Sequence, residues 1–127
     1  MTEVEKADKL NRLLADLQAA LDGGAIAVVE GPNDEKALRA LGIDGAVAQL
    51  SKRPYSELAE KLAGKCREVI ILTDFDAYGK KAAKGLRDSF LNECVRVDLS
   101  IRTRFKKLLG YTEFEDVPSL FENEINR

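Results

Sequence analysis

The sequence contains no histidine and no tryptophan. Without histidine it lacks the commonest general base and the usual zinc ligand. Any catalysis must therefore use carboxylates, lysines, tyrosines or a hard metal ion. Cysteine is also scarce, because Cys66 and Cys94 stand far apart and match no metal-binding spacing. We expect both to be buried, reduced thiols.

Long apolar runs and an excess of positive charge are missing too. No run approaches the ~20 apolar residues of a membrane-spanning helix, and the first residues, MTEVEK, do not resemble a signal peptide. We therefore expect a cytoplasmic protein with no membrane partner. The net charge is −2, whereas proteins that hold duplex DNA without sequence preference are usually much more basic. Contact with nucleic acid would need a local basic patch, a metal ion or a partner.

The chain does contain a regular alternation of apolar runs and amphipathic segments. Its 127 residues suit a single domain, with a core at about 25–99, an N-terminal helix and a C-terminal helical extension. Strands are predicted at 25–29, 46–50, 68–73 and 94–99. Helices are predicted at 2–21, 34–41, 55–63, 77–91, 101–109 and 117–125. This order predicts a Rossmann-like α/β fold with about four parallel strands, helices on both faces and right-handed crossovers.

Acidic residues follow two of the predicted strands. Glu30 ends the run AIAVVE, and Asp74 and Asp76 follow the run EVIILT. Ligands of parallel sheets bind beyond the carboxyl ends of the strands, where the strand order reverses. If the two strands are neighbours, the three carboxylates meet there, and they stay ionised only beside a positive charge. Mg²⁺ suits such a site and would bridge phosphate oxygens of a substrate.

The two aspartates also allow other interpretations. In an extended chain Asp74 and Asp76 would point the same way while Phe75 turned into the core. Alternatively, Asp76 simply caps the helix that begins near Ala77. Glu30 taken alone would be an ordinary loop acid. We favour the metal site because both motifs stand at matching strand ends.

The segments AVVEGPNDEKAL and EVIILTDFDAYGKKAAKGL together resemble the Toprim domain. That domain is shared by type IA topoisomerases, topoisomerase VI, bacterial primases, OLD-type nucleases, recombination-mediator proteins and a small ribosomal-RNA maturation nuclease. Its pattern is a glutamate and glycine after the first strand and Asp-x-Asp, then glycine, after the third. The resemblance covers residues 25–99 and is greatest to the stand-alone small Toprim proteins of archaea. The segments before and after lie outside the shared pattern.

The resemblance implies a role for each matching residue. Glu30 would be the general acid or base, or a metal ligand in some members. Asp74 and Asp76 would hold Mg²⁺, with Mn²⁺ as a possible substitute. Gly31 would let the chain turn sharply beside the site, and Gly79 would let a helix start come close to phosphate.

Further charged residues lie near these motifs. Related nucleases often carry an acid at the position of Asp34. By this resemblance Asp34 would support the metal ligands or hold a second metal ion. Equally, Asp34 is simply an acid in the first turn of a helix, where the helix dipole favours negative charge. Lys80, Lys84 and Arg87 share one helix face and would steer substrate phosphate, unless that face is merely solvated. A second basic cluster at 102–107 is better explained as an exposed helix with Phe105 turned inward.

Three functions compete. The first is Mg²⁺-dependent phosphodiester chemistry on RNA or DNA, as a nuclease or nucleotidyl transferase and with RNA processing as one setting. The second is a non-catalytic module that binds nucleic acid or a protein of an RNA- or DNA-processing complex, with a protein partner or a homo-oligomer supplying further contacts. A receiver-like phosphoacceptor is disfavoured, because no lysine follows a later strand in the required way.

Overall fold

The computed structural model describes residues 2–110, in which helices and strands alternate throughout. The helices are α1 (Glu3–Asp22), α2 (Pro32–Ala40), α3 (Tyr55–Ala63), α4 (Ala77–Asn92) and α5 (Ser100–Leu109). The strands are β1 (Ile26–Val29), β2 (Val47–Gln49), β3 (Glu68–Ile71) and β4 (Arg96–Asp98). No helix within residues 2–110 is both long and apolar enough to cross a membrane.

The four strands form one parallel sheet in the order β2-β1-β3-β4. Strand β1 pairs with β2 on one side and with β3 on the other, with Val28 opposite Ile71 in the register of β1 and β3. The chain therefore moves from β1 to β2 on one side of β1, and then crosses back over β1 to form β3 on its other side. The strand order reverses between β1 and β3, which is the point where open parallel sheets bind ligands.

Alternate strand residues point to opposite faces, and each face has its own core. Helices α1, α2 and α5 pack on the face that carries Ala27, Val29 and Ile70. Helices α3 and α4 cover the other face, which carries Val28 and Ile71. The crossover from β1 to β2 lies on the first face, and the later crossovers, which advance the opposite way, lie on the second. This change of face is required if all the crossovers have one hand.

The predicted α/β architecture is confirmed, including the four strands and the helix at 101–109. Strand β3 is shorter than predicted, because it ends at Ile71 rather than at residue 73. The predicted helix at 117–125 lies outside the described residues. Both cysteines are free, but Cys66 is only half-buried and Cys94 is exposed, so the expected burial of both was wrong. Cys94 takes the left-handed position after α4, with φ of 60°.

Candidate metal centre

Glu30 and Asp74 meet at the reversal point of the sheet. Glu30 comes directly after β1 and Asp74 three residues after the neighbouring strand β3. The backbone N–H of Asp74 donates a hydrogen bond to Oε1 of Glu30 over 3.3 Å. The expectation that the two motif-bearing strands are neighbours is confirmed.

A third acid completes the cluster. Carboxylate oxygens of Glu30, Asp34 and Asp74 all lie within 4.8 Å of one another. Asp34 belongs to the first turn of α2 and is only 9% exposed. Its Oδ2 accepts a hydrogen bond from the backbone N–H of Gly31 over 3.0 Å, which fixes it against the turn that follows Glu30. Three converging carboxylate oxygens, from one buried and two partly buried residues, make an arrangement that suits a hard divalent cation.

One atom of the cluster lacks a partner. Oδ1 of Asp74 is buried, and it accepts a hydrogen bond from none of the described residues. A buried carboxylate oxygen without a donor is costly, because it has lost its water and gained nothing in return. A cation held between Asp74, Glu30 and Asp34 would satisfy this oxygen. The residues present therefore fit a divalent metal ion such as Mg²⁺ or Mn²⁺.

The same crowding changes the proton affinity of Glu30. Burial is the main cause that raises the pKa of Glu30 from its ordinary 4.5 to about 8, and the neighbouring carboxylates of Asp74 and Asp34 raise it further toward that value. In the metal-free protein at neutral pH, Glu30 therefore keeps a proton that the Asp74 carboxylate can accept in a hydrogen bond. A proton and a metal ion compete for the same group of oxygens.

Asp76 does not join this cluster. It is the N-cap of α4, where its Oδ1 accepts the backbone N–H of Gly79 over 2.7 Å. Because β3 ends at Ile71, the alternation expected to aim Asp74 and Asp76 the same way does not continue through them. The capping interpretation of Asp76 is confirmed, and its role as a metal ligand stays a prediction.

A profile of the Toprim domain matches residues 25–108, which is most of the chain. The chain belongs to the Toprim domain family. The match extends past residue 99 and includes nearly all of α5, which the sequence patterns had placed outside the shared region. Helix α1 precedes the matched region.

Relatives of this Toprim protein cover most of its length. A UPF0292 protein of Methanosarcina acetivorans is 33% identical over 125 residues, which span 95% of this chain and 86% of the relative. A UPF0292 protein of Thermococcus gammatolerans is 36% identical over 102 residues, 80% of this chain and 76% of that one. A solved structure of a protein from Aquifex aeolicus is 30% identical, with a TM-score of 0.75 over 84% of this chain and 96% of its own. The expected likeness to small archaeal Toprim proteins is confirmed.

The two motif glycines of this Toprim domain differ in what their surroundings demand. A Cβ built on Gly79 would lie 2.0 Å from the carbonyl oxygen of Asp74, so only glycine lets the first turn of α4 approach that peptide. Gly31 has an extended backbone with φ of −156°, and a Cβ there would meet no atom within 4 Å. Its backbone therefore does not require glycine; the missing side chain keeps the space next to Glu30 open. The approach of phosphate to either glycine stays a prediction.

An open cavity of about 250 Å³ lies against the acid cluster. Its lining includes Glu30, Asp34 and Asp74, with Lys52 and the exposed ring of Tyr78 at the side. The cavity leaves room for a ligand directly beside the carboxylates. Lys52 adds a positive charge to the lining of the same space.

Lys80 and Lys84 lie in a different depression from the acids. They line a wider groove between α4 and α5, with a cavity volume of about 760 Å³, together with Lys81, Arg87 and Arg102. The prediction that Lys80, Lys84 and Arg87 share one helix face agrees with their common position in this groove. Their contact with substrate phosphate stays a prediction.

Arg102 is the residue at this site that the sequence patterns missed. They placed it in an exposed basic cluster of α5, yet its guanidinium is partly buried beside the Asp74 segment. Burial lowers its pKa, while the carboxylates of Glu30, Asp74 and Asp76 act in the opposite direction. The only sequence signal was its position directly after the inward-facing Ile101, which is too weak to single out one arginine among several.

Proposed function

We propose that this Toprim protein catalyses Mg²⁺-dependent phosphodiester cleavage or nucleotidyl transfer on nucleic acid, with RNA processing as the first setting to examine. The observation that carries this proposal is the cluster of Glu30, Asp34 and Asp74, in which one carboxylate oxygen of each residue lies within 4.8 Å of the others and the buried Oδ1 of Asp74 has no hydrogen-bond partner among the described residues. Such an oxygen cluster at the mouth of a cavity is suited to a cation and a phosphate together.

Asp74, Glu30 and Asp34 would hold the divalent ion, and Asp76 would complete its surroundings if the predicted ligand role is correct. When bound, the ion supplies charge neutralisation for the phosphate oxygens and acidifies an attacking water or hydroxyl. Asp34 is held by the N–H of Gly31, so its oxygen needs little reorganisation to act as a ligand. Preorganisation of this kind lowers the free-energy cost of binding the ion.

Glu30 is the residue suited to move a proton. In the metal-free protein its pKa is about 8, which is close to the range in which a general acid or base works best. As a base, Glu30 would take the proton of the attacking oxygen while the bond between phosphorus and the leaving oxygen breaks. As an acid, it would protonate that leaving oxygen.

The groove between α4 and α5 supports a nucleic-acid substrate. Lys80, Lys84 and Arg87 recur along one side of α4 at steps that rise roughly 4.5–6 Å. A row of positive charges of this kind can follow the phosphate backbone of a single strand. A local strip of this kind allows a chain with a net charge of −2 to attract a polyanion.

The deciding experiment is a cleavage assay with Mg²⁺ or Mn²⁺ on labelled structured RNA, single-stranded DNA and duplex DNA. The variants are Glu30→Gln and, as a matched control, Glu60→Gln, which changes an exposed glutamate on α3. We expect wild type and the control to cleave one substrate class, and Glu30→Gln to lose at least a hundredfold in rate.

Two results would contradict the proposal. Equal cleavage by wild type and Glu30→Gln would place the activity elsewhere. Metal binding without cleavage of any substrate would favour the non-catalytic binding module, and the lysines of α4 would then be tested for affinity alone.

A further inference from the structure

Arg102 contacts the backbone of the loop that carries the Asp-x-Asp motif. Its Nε donates to the carbonyl oxygen of Thr73 over 3.0 Å, and its Nη2 donates to the carbonyl oxygen of Asp74 over 2.6 Å. The Cζ atom lies 5.5 Å from the ring centroid of Phe75, within the range of a cation–π contact. One side chain therefore holds three consecutive residues of the loop.

The start of α5 determines where this arginine lies. Oδ1 of Asp98, the last residue of β4, accepts the backbone N–H groups of Ser100 at 2.7 Å and Ile101 at 3.2 Å. The helix thus begins at a fixed point immediately after the strand. Ile101 and Phe105, one turn apart, are buried in the core beneath α5. With the helix fixed at its start and along its inner face, Arg102 is directed to the carboxyl edge of β3.

The peptide of Asp74 is held from three directions. Its N–H donates to Glu30, and its carbonyl oxygen accepts from Arg102. The backbone of Gly79 lies so close to that carbonyl that a Cβ would come within 2.0 Å of it. Glu30 and Gly79 belong to the two sequence motifs, whereas Arg102 lies outside them on α5. It is also the only one of the three that contributes a positive charge.

We propose that Arg102 is a positioning residue, which fixes the Asp74 peptide so that the carboxylate of Asp74 converges with those of Glu30 and Asp34 on a divalent cation. The functional part of this inference rests on the proposed metal site. Two hydrogen bonds from one planar guanidinium to the successive carbonyls of Thr73 and Asp74 define the orientation of the peptide groups on both sides of Asp74, which one ammonium group does not. Residues that orient metal ligands typically change metal affinity 10- to 100-fold when they are removed.

Charge alone predicts the opposite effect. The guanidinium is a cation near Glu30, Asp74 and Asp76, so it repels a metal ion bound to the same acids. If Arg102 only balanced the charge of the acids, its removal would tighten cation binding. If it positions Asp74, its removal loosens cation binding. The direction of the change separates the two roles.

The experiment measures Mn²⁺ affinity by calorimetry and by the electron paramagnetic resonance of free Mn²⁺. Wild type is compared with Arg102→Ala and Arg102→Lys, and with Arg104→Ala as a control. Arg104 belongs to the same helix but pairs with Asp16 over 2.8 Å, away from the Asp74 loop. We expect Arg102→Ala to bind Mn²⁺ about tenfold more weakly, Arg102→Lys to recover part of that loss, and the control to stay within about twofold.

A second measurement uses no metal. Amide hydrogen exchange is followed in EDTA for the N–H of Asp74, which is bonded to Glu30. We expect faster exchange at Asp74 in both Arg102 variants and no change in Arg104→Ala. If both Arg102 variants exchange faster at Asp74 but wild type itself binds no Mn²⁺, then Arg102 positions the loop as proposed, and the metal site is overturned.

Affinity equal to or tighter than wild type in a folded Arg102→Ala would overturn the inference. If Arg102→Ala does not fold, Arg102→Lys decides, since it keeps the charge. A Lys variant with unchanged Mn²⁺ affinity and unchanged exchange at Asp74 would show that the guanidinium fork orients nothing.

Discussion

Glu30 and Asp74 are joined by a hydrogen bond from the N–H of Asp74 to Oε1 of Glu30, although 44 positions separate them in the chain. The bond links the ends of the two strands between which the sheet reverses its order. It also brings two carboxylates together in a partly buried position, where they repel each other unless a proton or a cation lies between them. The pH and metal dependence expected of this protein follow from that pairing.

The metal-free protein is expected to lose stability as pH rises from about 5 to about 8. The folded state holds the Glu30 proton up to a pKa of about 8, whereas the unfolded chain releases it near 4.5. Between these values the folded state binds more protons, so the free energy of unfolding falls as pH increases. Urea unfolding in EDTA at several pH values measures this slope.

Glu30→Gln should remove most of that pH dependence and should be more stable than wild type at pH 8.5, because glutamine stays neutral. Glu60→Gln, an exposed change, should keep the wild-type slope. Saturating Mg²⁺ should stabilise wild type more at pH 8 than at pH 5.5, since the ion replaces the proton. Parallel slopes for wild type and Glu30→Gln would show that another group titrates.

Asp74→Asn should weaken Mn²⁺ binding at least tenfold, because it removes one charge from the three-acid cluster. The amide would also place a donor against the neighbouring carboxylates, so the metal-free protein should remain folded. Titration calorimetry measures the affinity, with Asp8→Asn on the exposed face of α1 as the matched control. Equal affinity in Asp74→Asn and the control would exclude Asp74 as a ligand.

Two substitutions at Asp76 can separate its role as the N-cap of α4 from a role as a metal ligand. Asparagine also caps helices well, so Asp76→Asn should leave stability nearly unchanged, whereas Asp76→Ala should cost about 1 kcal/mol. If Asp76 acts only through Gly79, Mn²⁺ affinity should fall less than about threefold in Asp76→Asn. A tenfold loss of affinity at unchanged stability would instead establish the predicted ligand role.

The sequence predicted what depends on local patterns and on strand order. Continuous apolar runs indicated the parallel strands, and the positions of Glu30 and Asp74 after two of them predicted that these two acids would meet, as they do. It did not predict that β3 would end before Asp74, which removes the alternation that would have aimed Asp76 the same way as Asp74. Nor did it select Arg102, because its contacts with Thr73 and Asp74 lie 29 and 28 residues away. Such pairings depend on how helices dock, which residue spacing does not encode.

Lys80→Ala and Lys84→Ala should each weaken binding of a single-stranded oligonucleotide, and each should reduce the slope of log affinity against log salt by about 1. Both residues line the groove beside Arg102, so the phosphates of a strand bound in this groove would contact both lysines. Lys36→Ala, on an exposed part of α2, is the control. Unchanged slopes for both α4 variants would place the nucleic acid on another surface.

Gly79→Ala should destabilise the protein by about 2 kcal/mol or more, although alanine is normally favoured over glycine within a helix. The added Cβ would lie 2.0 Å from the carbonyl oxygen of Asp74, and the obstructing atom is backbone, which cannot rotate away. Gly31→Ala, where a Cβ meets no atom within 4 Å, should stay within about 0.5 kcal/mol of wild type. Chemical denaturation in EDTA compares the two. If Gly79→Ala is as stable as Gly31→Ala, the first turn of α4 can move away from Asp74. The close packing around the Asp74 peptide would then not be needed for the fold.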